Sequence, residues 1–209
     1  MAAKVFVGGA SARDVARGDI RIRRATLRDL EVLVHQRRGM WEDIADHTPE
    51  EHDRADRVYR AWARQRMKTG KLVGFLAEDG AGRVLGGGCV WLRENQPRPG
   101  WEDREMPYLL SMYTEPEHRG RGVATRIVRE VVRWARDEGY RRMTLHASKQ
   151  GRSLYKRLGW DRTWEMRMRL NEPRTPRRAP ERARGTPRAR RLSSGASRRP
   201  GARGTRASR

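Results

Sequence analysis

Tyr113-Thr114-Glu115-Pro116-Glu117-His118-Arg119-Gly120-Arg121-Gly122-Val123-Ala124-Thr125 is the stretch on which the fold turns. Ahead of it, Tyr108 to Thr114 reads as a strand, and Pro116 starts a turn. A glycine-bearing loop follows, and then an amphipathic helix. Val123, Ile127, Val131 and Ala135 recur every four residues, with Ala124, Val128 and Val132 in the adjacent row. Arg126, Arg129, Arg133, Arg136 and Asp137 take the other side, the 3.6-residue period of a helix laid on a sheet. Gly139 is a natural stop, with Arg136, Arg141 and Arg142 near the negative end. Strand, glycine loop and helix together make an anion site. The first amides of a helix have no intrahelical partner and sit at the positive end of its dipole. Glycines at 120 and 122 let a ligand approach the main chain closely.

The loop is not a Walker loop, because the spacing GxxxxGK[ST] is absent. It is not the dinucleotide fingerprint either, which needs three glycines and an acidic residue after the next strand. The pattern Arg119-x-x-Gly122-x-Ala124 resembles the coenzyme A signature, Arg/Gln-x-x-Gly-x-Gly/Ala, of the GNAT N-acetyltransferase superfamily. A second block follows: Met143-Thr144-Leu145-His146-Ala147-Ser148, then Gly151 to Trp160. It reads as a short buried strand, a break, a short helix and a glycine exit. Leu154-Tyr155-x-x-Leu158-Gly159-Trp160 resembles the GNAT run that carries a tyrosine next to the thioester sulfur. The resemblance spans residues 20 to 170 and is strongest from 108 to 160.

The resemblance implies acetyl-CoA as co-substrate, no metal, and a primary amine as acceptor, either a small molecule or a protein. Met112, Tyr113 and Thr114 would offer main-chain groups to pantetheine. Gly120, Gly122, Val123, Ala124 and Thr125 would wrap the pyrophosphate with backbone amides, and Arg119 and Arg121 would add charge-assisted contacts. The plainer reading of both arginines is a solvated side chain. Tyr155 would be the general acid, returning a proton to the coenzyme A thiolate; the alternative is a packing tyrosine on a short helix. Ser148 stands where some relatives place a cofactor-binding asparagine, or it is a strand-end cap. Some relatives carry a glutamate base twelve residues before the tyrosine; here that position is Met143, which accepts no proton. A lysine-like amine needs such help, since about one molecule in 2,500 is neutral at pH 7. Glu94, Glu102, Asp103, Glu105, Glu115, Glu117 and His146 are the candidate bases, and none is selected; His146 is expected near the core. Trp41, Glu42, Asp43, Trp91, Trp101 and Trp160 are candidates for an aromatic and acidic acceptor pocket, against the plainer reading of tryptophans in core or rim.

Composition bounds the rest. The chain has 209 residues and a formal charge of +22. Residues 171–209 hold 13 arginines against 2 carboxylates, half of that charge, with half of the ten prolines and a single large aliphatic residue, Leu192. Such a segment buries too little apolar surface to offset chain entropy and is expected to be disordered. It reads as a weak, non-specific nucleic-acid contact, as an accidental extension, or as a solubilising end. Three parts are expected: a loose N-terminal arm over 1–18, an acetyltransferase domain over 19–170 and the tail over 171–209. Cys89 is the only cysteine, in Gly86-Gly87-Gly88-Cys89-Val90-Trp91, and reads as a small core residue. No apolar run approaches the roughly 20 residues of a membrane span, and Val5-Phe6-Val7 is too short for a signal-peptide core. A cytoplasmic protein is expected.

The order of elements is strand, two helices, three strands, helix, strand, helix, strand. Ile20 and Ile22 mark the first strand, and Thr26 caps a helix from Leu27 to about Met40. Pro49 opens a second helix that Gly70 ends, and Asp79-Gly80-Ala81-Gly82 joins two strands as a hairpin. Trp164, Met166 and Met168 alternate with charged residues as a last strand. This is an α/β fold. The resemblance implies a mixed, mostly antiparallel sheet of six to seven strands with about four helices on both faces, splayed after the fourth strand. Two rivals remain: a basic nucleic-acid-binding protein, and a catalytically degenerate domain that binds acyl-CoA.

Overall fold

Helices begin in this chain where side chains satisfy their first amides. In the computed structural model, which describes residues 20–168 and residue 170, Thr26 Oγ1 accepts from the Arg28 amide at 3.3 Å. Asp29 accepts from the Thr26 amide at 2.7 Å. This box opens a 3-10 turn, Leu27–Asp29, and α1 continues over Leu30–Glu42. A second box opens α2, Pro49–Lys68: Thr48 Oγ1 accepts from the Glu51 amide at 3.3 Å, and Glu51 accepts from the Thr48 amide at 2.9 Å. Proline is tolerated at its first position because no amide is needed there. Each cap stabilises its helix by about 1 kcal/mol. α3 spans Val123–Asp137, ended by Gly139 at φ +83°, and α4 spans Arg152–Arg157.

Five strands form one sheet in chain order: β1 (Arg21–Arg24), β2 (Leu72–Glu78), β3 (Val84–Glu94), β4 (Glu105–Thr114) and β5 (Thr144–Leu145). The first three pairings are antiparallel, and β4 with β5 is parallel. The β2–β3 turn is held by Asp79 Oδ1, which accepts from the amides of Ala81 and Arg83 at 3.0 and 2.9 Å.

Alternation along β2 sorts the core into two faces. Phe75 and Ala77 pack with Leu109 of β4 and with Val123, Ile127, Val128 and Val131 of α3. Leu72 and Leu76 point the other way, into α1 and α2, where they meet Leu30, Leu33, Tyr59 and Ala63. The described residues up to Thr163 make one compact unit, and Trp164 begins a second.

Two expectations are corrected. The sheet has five strands among the described residues, not six to seven. The missing one is the last: Trp164, Met166 and Met168 lie outside any strand and are 93%, 94% and 70% exposed. An alternating pattern specifies a face but not a partner, so it does not by itself make a strand. The arm over 1–18 and the tail over 171–209 lie outside the described residues. No helix among the described residues is long and apolar enough to cross a membrane.

Candidate functional site

The site grows from an irregularity in β4. Gly87 pairs with Tyr113 and Cys89 with Leu110, so Ser111 and Met112 together oppose the single residue Gly88. Ser111 takes the extra residue at φ +52°, a β-bulge, and is the only non-glycine residue with positive φ among those described. The glycine run of β3 makes room for it. A Cβ at Gly86 would sit 2.6 Å from the Tyr113 carbonyl oxygen. A Cβ at Gly87 would collide with Gln36 of α1, and one at Gly88 with the Met112 sulfur. Three consecutive glycines in a strand were the sequence signal for this bulge, and sequence reasoning missed it.

Beyond the bulge the sheet opens. β5 pairs with β4 only through Tyr108–Thr144 and Leu109–Leu145. Past these pairs β4 runs on to Thr114, while β5 ends and the chain turns through Ser148 into α4. The second half of β4 therefore has β3 on one side and an opening on the other.

At the end of β4, a 3-10 turn over Pro116–His118 leads into the glycine loop. Gly120 and Gly122 adopt φ +74° and +83°, left-handed values that an L side chain rarely takes. A Cβ on either would meet nothing within 4 Å, so neither glycine is there for packing. Gly122 is the N-cap of α3, and no side chain caps that end. Val123 is buried in the core, while Ala124 and Thr125 are half-buried. The first amides of α3 therefore have no side-chain cap, as an anion site requires. Arg121 is exposed and makes no ion pair among the described residues.

Tyr155 lies on α4, half-buried against the α3-side core, with its ring edge-to-face on Trp160 at 5.9 Å. Burial pushes its phenol up to about 12, so it is protonated at neutral pH. Burial has the same effect on the Cys89 thiol, also about 12. Cys89 is 1% exposed and therefore holds its proton, a packed core residue rather than a nucleophile.

Several expected site residues are engaged elsewhere. Arg119 forks onto Asp43, with Nη2 2.6 Å from Oδ2, and donates from Nε to the Thr114 carbonyl at 2.9 Å. Its guanidinium is thus committed to the loop's own framework. The Tyr113 side chain is buried against α1, edge-to-face with His35, and its carbonyl oxygen lies on the β3 side, against Gly86. Met112 packs on Gly88. Ser148 Oγ accepts from the Gly151 amide at 3.1 Å and so caps the approach to α4.

The candidate bases separate by position. Glu94 and Glu105 pair at the far end of the β3–β4 hairpin. At about 3.3 Å per residue, Glu105 stands about 17 Å from the opening, and Glu102 and Asp103 precede it. Lys71 is ion-paired to Glu105, and Glu102 accepts from the Gly100 amide at 3.0 Å. Glu115 is half-buried beside the opening, 3.4 Å from His35 Nε2. His146 does not pack in the core as expected: it is exposed just past β5, with Nδ1 in contact with the Tyr108 hydroxyl.

The expected acceptor wall does not assemble as one surface. Trp41, Glu42 and Asp43 stand at or just past the end of α1. Trp91 packs edge-on to Trp62 under Arg66 and Arg93, and Trp101 lies between Arg98 and Arg142 at 4.3 and 4.4 Å. Arginine stacking occupies both rings because cation–π pairing is open to any nearby guanidinium. Sequence reasoning also missed a groove of about 580 Å³ between α3 and α4, with Arg129, Arg136 and Arg157 over a floor of Val128, Val132 and Leu158.

Known proteins share this fold. A family model described as Acetyltransferase (GNAT) family matches residues 36–160, more than half of the chain. Human N-acetyltransferase 8B is 29% identical over 92 residues, covering 37% of this chain and 40% of that protein. Thialysine N-epsilon-acetyltransferase of Bos taurus is 36% identical over 62 residues, 28% of this chain and 36% of that protein. The chain thus spans 40% or less of the length of these curated relatives. Among solved structures, a GCN5-related N-acetyltransferase from Ralstonia eutropha JMP134 superposes with a TM-score of 0.66 at 27% identity, covering 73% of this chain and 99% of that one. A predicted acetyltransferase from Clostridium acetobutylicum, solved with acetyl-CoA, gives 0.64 at 26%, covering 73% and 96%.

Proposed function

Since the chain belongs to the acetyltransferase (GNAT) family, we propose that it moves an acetyl group from acetyl-CoA to a primary amine, by direct attack within a ternary complex. The observation that carries this reading is the uncapped N-terminus of α3, behind two open positive-φ glycines and beside the opening between β4 and β5. These features suit a long ligand with a diphosphate at one end and an uncharged arm at the other. Acetyl-CoA supplies an activated thioester.

The amides of Val123, Ala124 and Thr125 bind the diphosphate, and Arg121 adds charge at the rim. Arg129, Arg136 and Arg157 suit the phosphorylated nucleotide end. The main chain of Met112 orients the pantetheine arm along the edge of β4 left without a strand. The amine nitrogen attacks the thioester carbon, the carbon–sulfur bond breaks, and the Tyr155 hydroxyl gives its proton to the departing sulfur. The amine's own proton leaves to solvent or to a base near Glu115. A phenol at about 12 is a poor acid toward a thiol of ordinary pKa, about 8.5. The balance changes inside the site, because the burial that raises the phenol raises a thiolate too, as it does Cys89.

A second reading, a domain that binds acyl-CoA without turnover, is favoured by Met143, which packs against the core where some relatives carry the base. One experiment separates the two. Release of free thiol is measured with acetyl-CoA across a panel of amines: amino acids, polyamines, aminoglycosides and peptides with free N-termini or lysines. Turnover above the amine-free blank with any of them supports the transferase. Calorimetric binding of acetyl-CoA with no turnover on the panel supports the sensor, and no binding at millimolar acetyl-CoA defeats both.

A further inference from the structure

Three segments far apart in sequence meet at Asp43, the residue that follows α1. Arg119 reaches its carboxylate with both terminal nitrogens, Nη2 to Oδ2 at 2.6 Å and Nη1 to Oδ1 at 3.3 Å. From the other direction, Gln150 Nε2 donates to the Asp43 carbonyl oxygen at 3.4 Å. Arg119 follows the end of β4, and Gln150 follows the end of β5. These are the two strands that part after Leu109 and Leu145. Asp43 therefore joins the two walls of the opening. It does so from the α1 face of the sheet, whereas α3 and Tyr155 belong to the opposite face.

The fork leaves Arg119 little freedom. Its Nε is used by the Thr114 carbonyl at 2.9 Å, its terminal nitrogens are used by Asp43, and its Cζ lies 5.5 Å from the centre of the Tyr113 ring. A guanidinium held at three points fixes the chain between Thr114 and Arg119, and so the start of the glycine loop at Gly120. A fork of this kind is met by a carboxylate and not by an amide of the same shape. Glu115, the next carboxylate along, is paired with His35.

We propose that Asp43 is a positioning residue that ties the walls of the opening together and, through Arg119, couples the turn after α1 to the loop that binds acetyl-CoA. The ligand named here rests on the functional reading above, but the bridge itself does not. The gap between β4 and β5, beside which acetyl-CoA is placed above, then has a width that Asp43 sets.

The test uses the full chain with Asp43→Asn, Arg119→Gln and the double variant. Asparagine keeps the main-chain carbonyl that Gln150 uses and removes only the charged fork. Calorimetry with acetyl-CoA is expected to show each single variant weakened about five- to tenfold, with the double no weaker than either. Losses that multiply in the double variant, or an unchanged affinity in Asp43→Asn, overturn the proposal. A purely structural lesion is separated by a readout that needs no ligand. Amide hydrogen exchange in Asp43→Asn is expected to quicken at 119–122, while 148–152, whose contact with the residue 43 carbonyl is kept, and β2 and β3 hold their protection. Exchange unchanged at 119–122, or quickened throughout the sheet, also overturns it. If the unaltered chain binds no acetyl-CoA, the acetyltransferase reading fails, and the exchange result alone decides the bridge.

Discussion

Two single residues of the proposed reading, Tyr155 and Gly122, each yield a measurable consequence. Tyr155 holds its proton in a half-buried place. Tyr155→Phe is expected to keep acetyl-CoA affinity within a few-fold and lose roughly 10² in turnover. With the phenol at about 12, it is protonated at pH 7 and at pH 9 alike, so the loss is expected to be the same at both. A deficit that shrinks as pH rises from 7 to 9, read from steady-state kcat, removes Tyr155 as the acid. Gly122 is required by its φ of +83° and by the open space in front of it. Gly122→Val puts a branched side chain where it is strained by about 1–2 kcal/mol and screens the first amides of α3. The expected result is a loss of acetyl-CoA affinity of at least tenfold in calorimetry. An unchanged affinity would mean the diphosphate lies elsewhere.

Between elements, the joint from β1 to α1 is held by charge. Arg23 donates to Asp29 at 2.7 and 2.9 Å and to Glu78 at 2.6 Å, tying β1 to the helix start and to β2. The Arg23 hydrogen bond comes first among the causes that hold the Asp29 carboxyl down at about 2, joined by the Thr26 amide and hydroxyl. A carboxyl lowered in the folded state stabilises above its unfolded pKa, near 4, and that contribution is lost as pH falls toward 2. Asp29→Asn is therefore expected to lower the melting temperature by a few degrees at pH 7 and to make little difference at pH 2. Equal shifts at both pH values in a thermal melt would mean that Asp29 acts through shape and not charge. The elements that could be read directly from sequence were those with local causes. α3 follows from its four-residue apolar period, α2 from Pro49 and Gly70, and the β2–β3 hairpin from Asp79 and its glycines. The last strand was misread because its alternation needed a neighbour that only the fold can supply.

Over the whole molecule, the charge of +22 is shared equally between residues 1–170 and residues 171–209. Nothing described in the candidate site draws on that tail. A chain lacking 171–209 is expected to bind acetyl-CoA within about twofold of the full chain, because every residue proposed to hold that ligand lies before 171. Titration of RNA against both forms across a salt series checks the other half of the charge. If residues 171–209 make the contact, their removal flattens the salt slope; if the slope is unchanged, basic residues before 171 are responsible.

The candidate site was legible in sequence to the extent that it is made of backbone. A glycine pair before an amphipathic helix leaves uncapped amides whatever surrounds it, and Tyr155 arrives on a short motif that carries its own turn. These outcomes follow from torsional preference and from spacing along a few residues, which the chain determines alone. Side-chain partners were decided only in three dimensions. Arg119 finds Asp43 across 76 residues and Gln150 finds the same residue across 107. The arginines that cover Trp91 and Trp101 reach them through space. In a chain this rich in arginine many pairings are chemically equivalent, so chemistry alone does not rank them. The geometry of the packed sheet selects among them, by bringing one carboxylate within reach of one guanidinium and holding the rest apart.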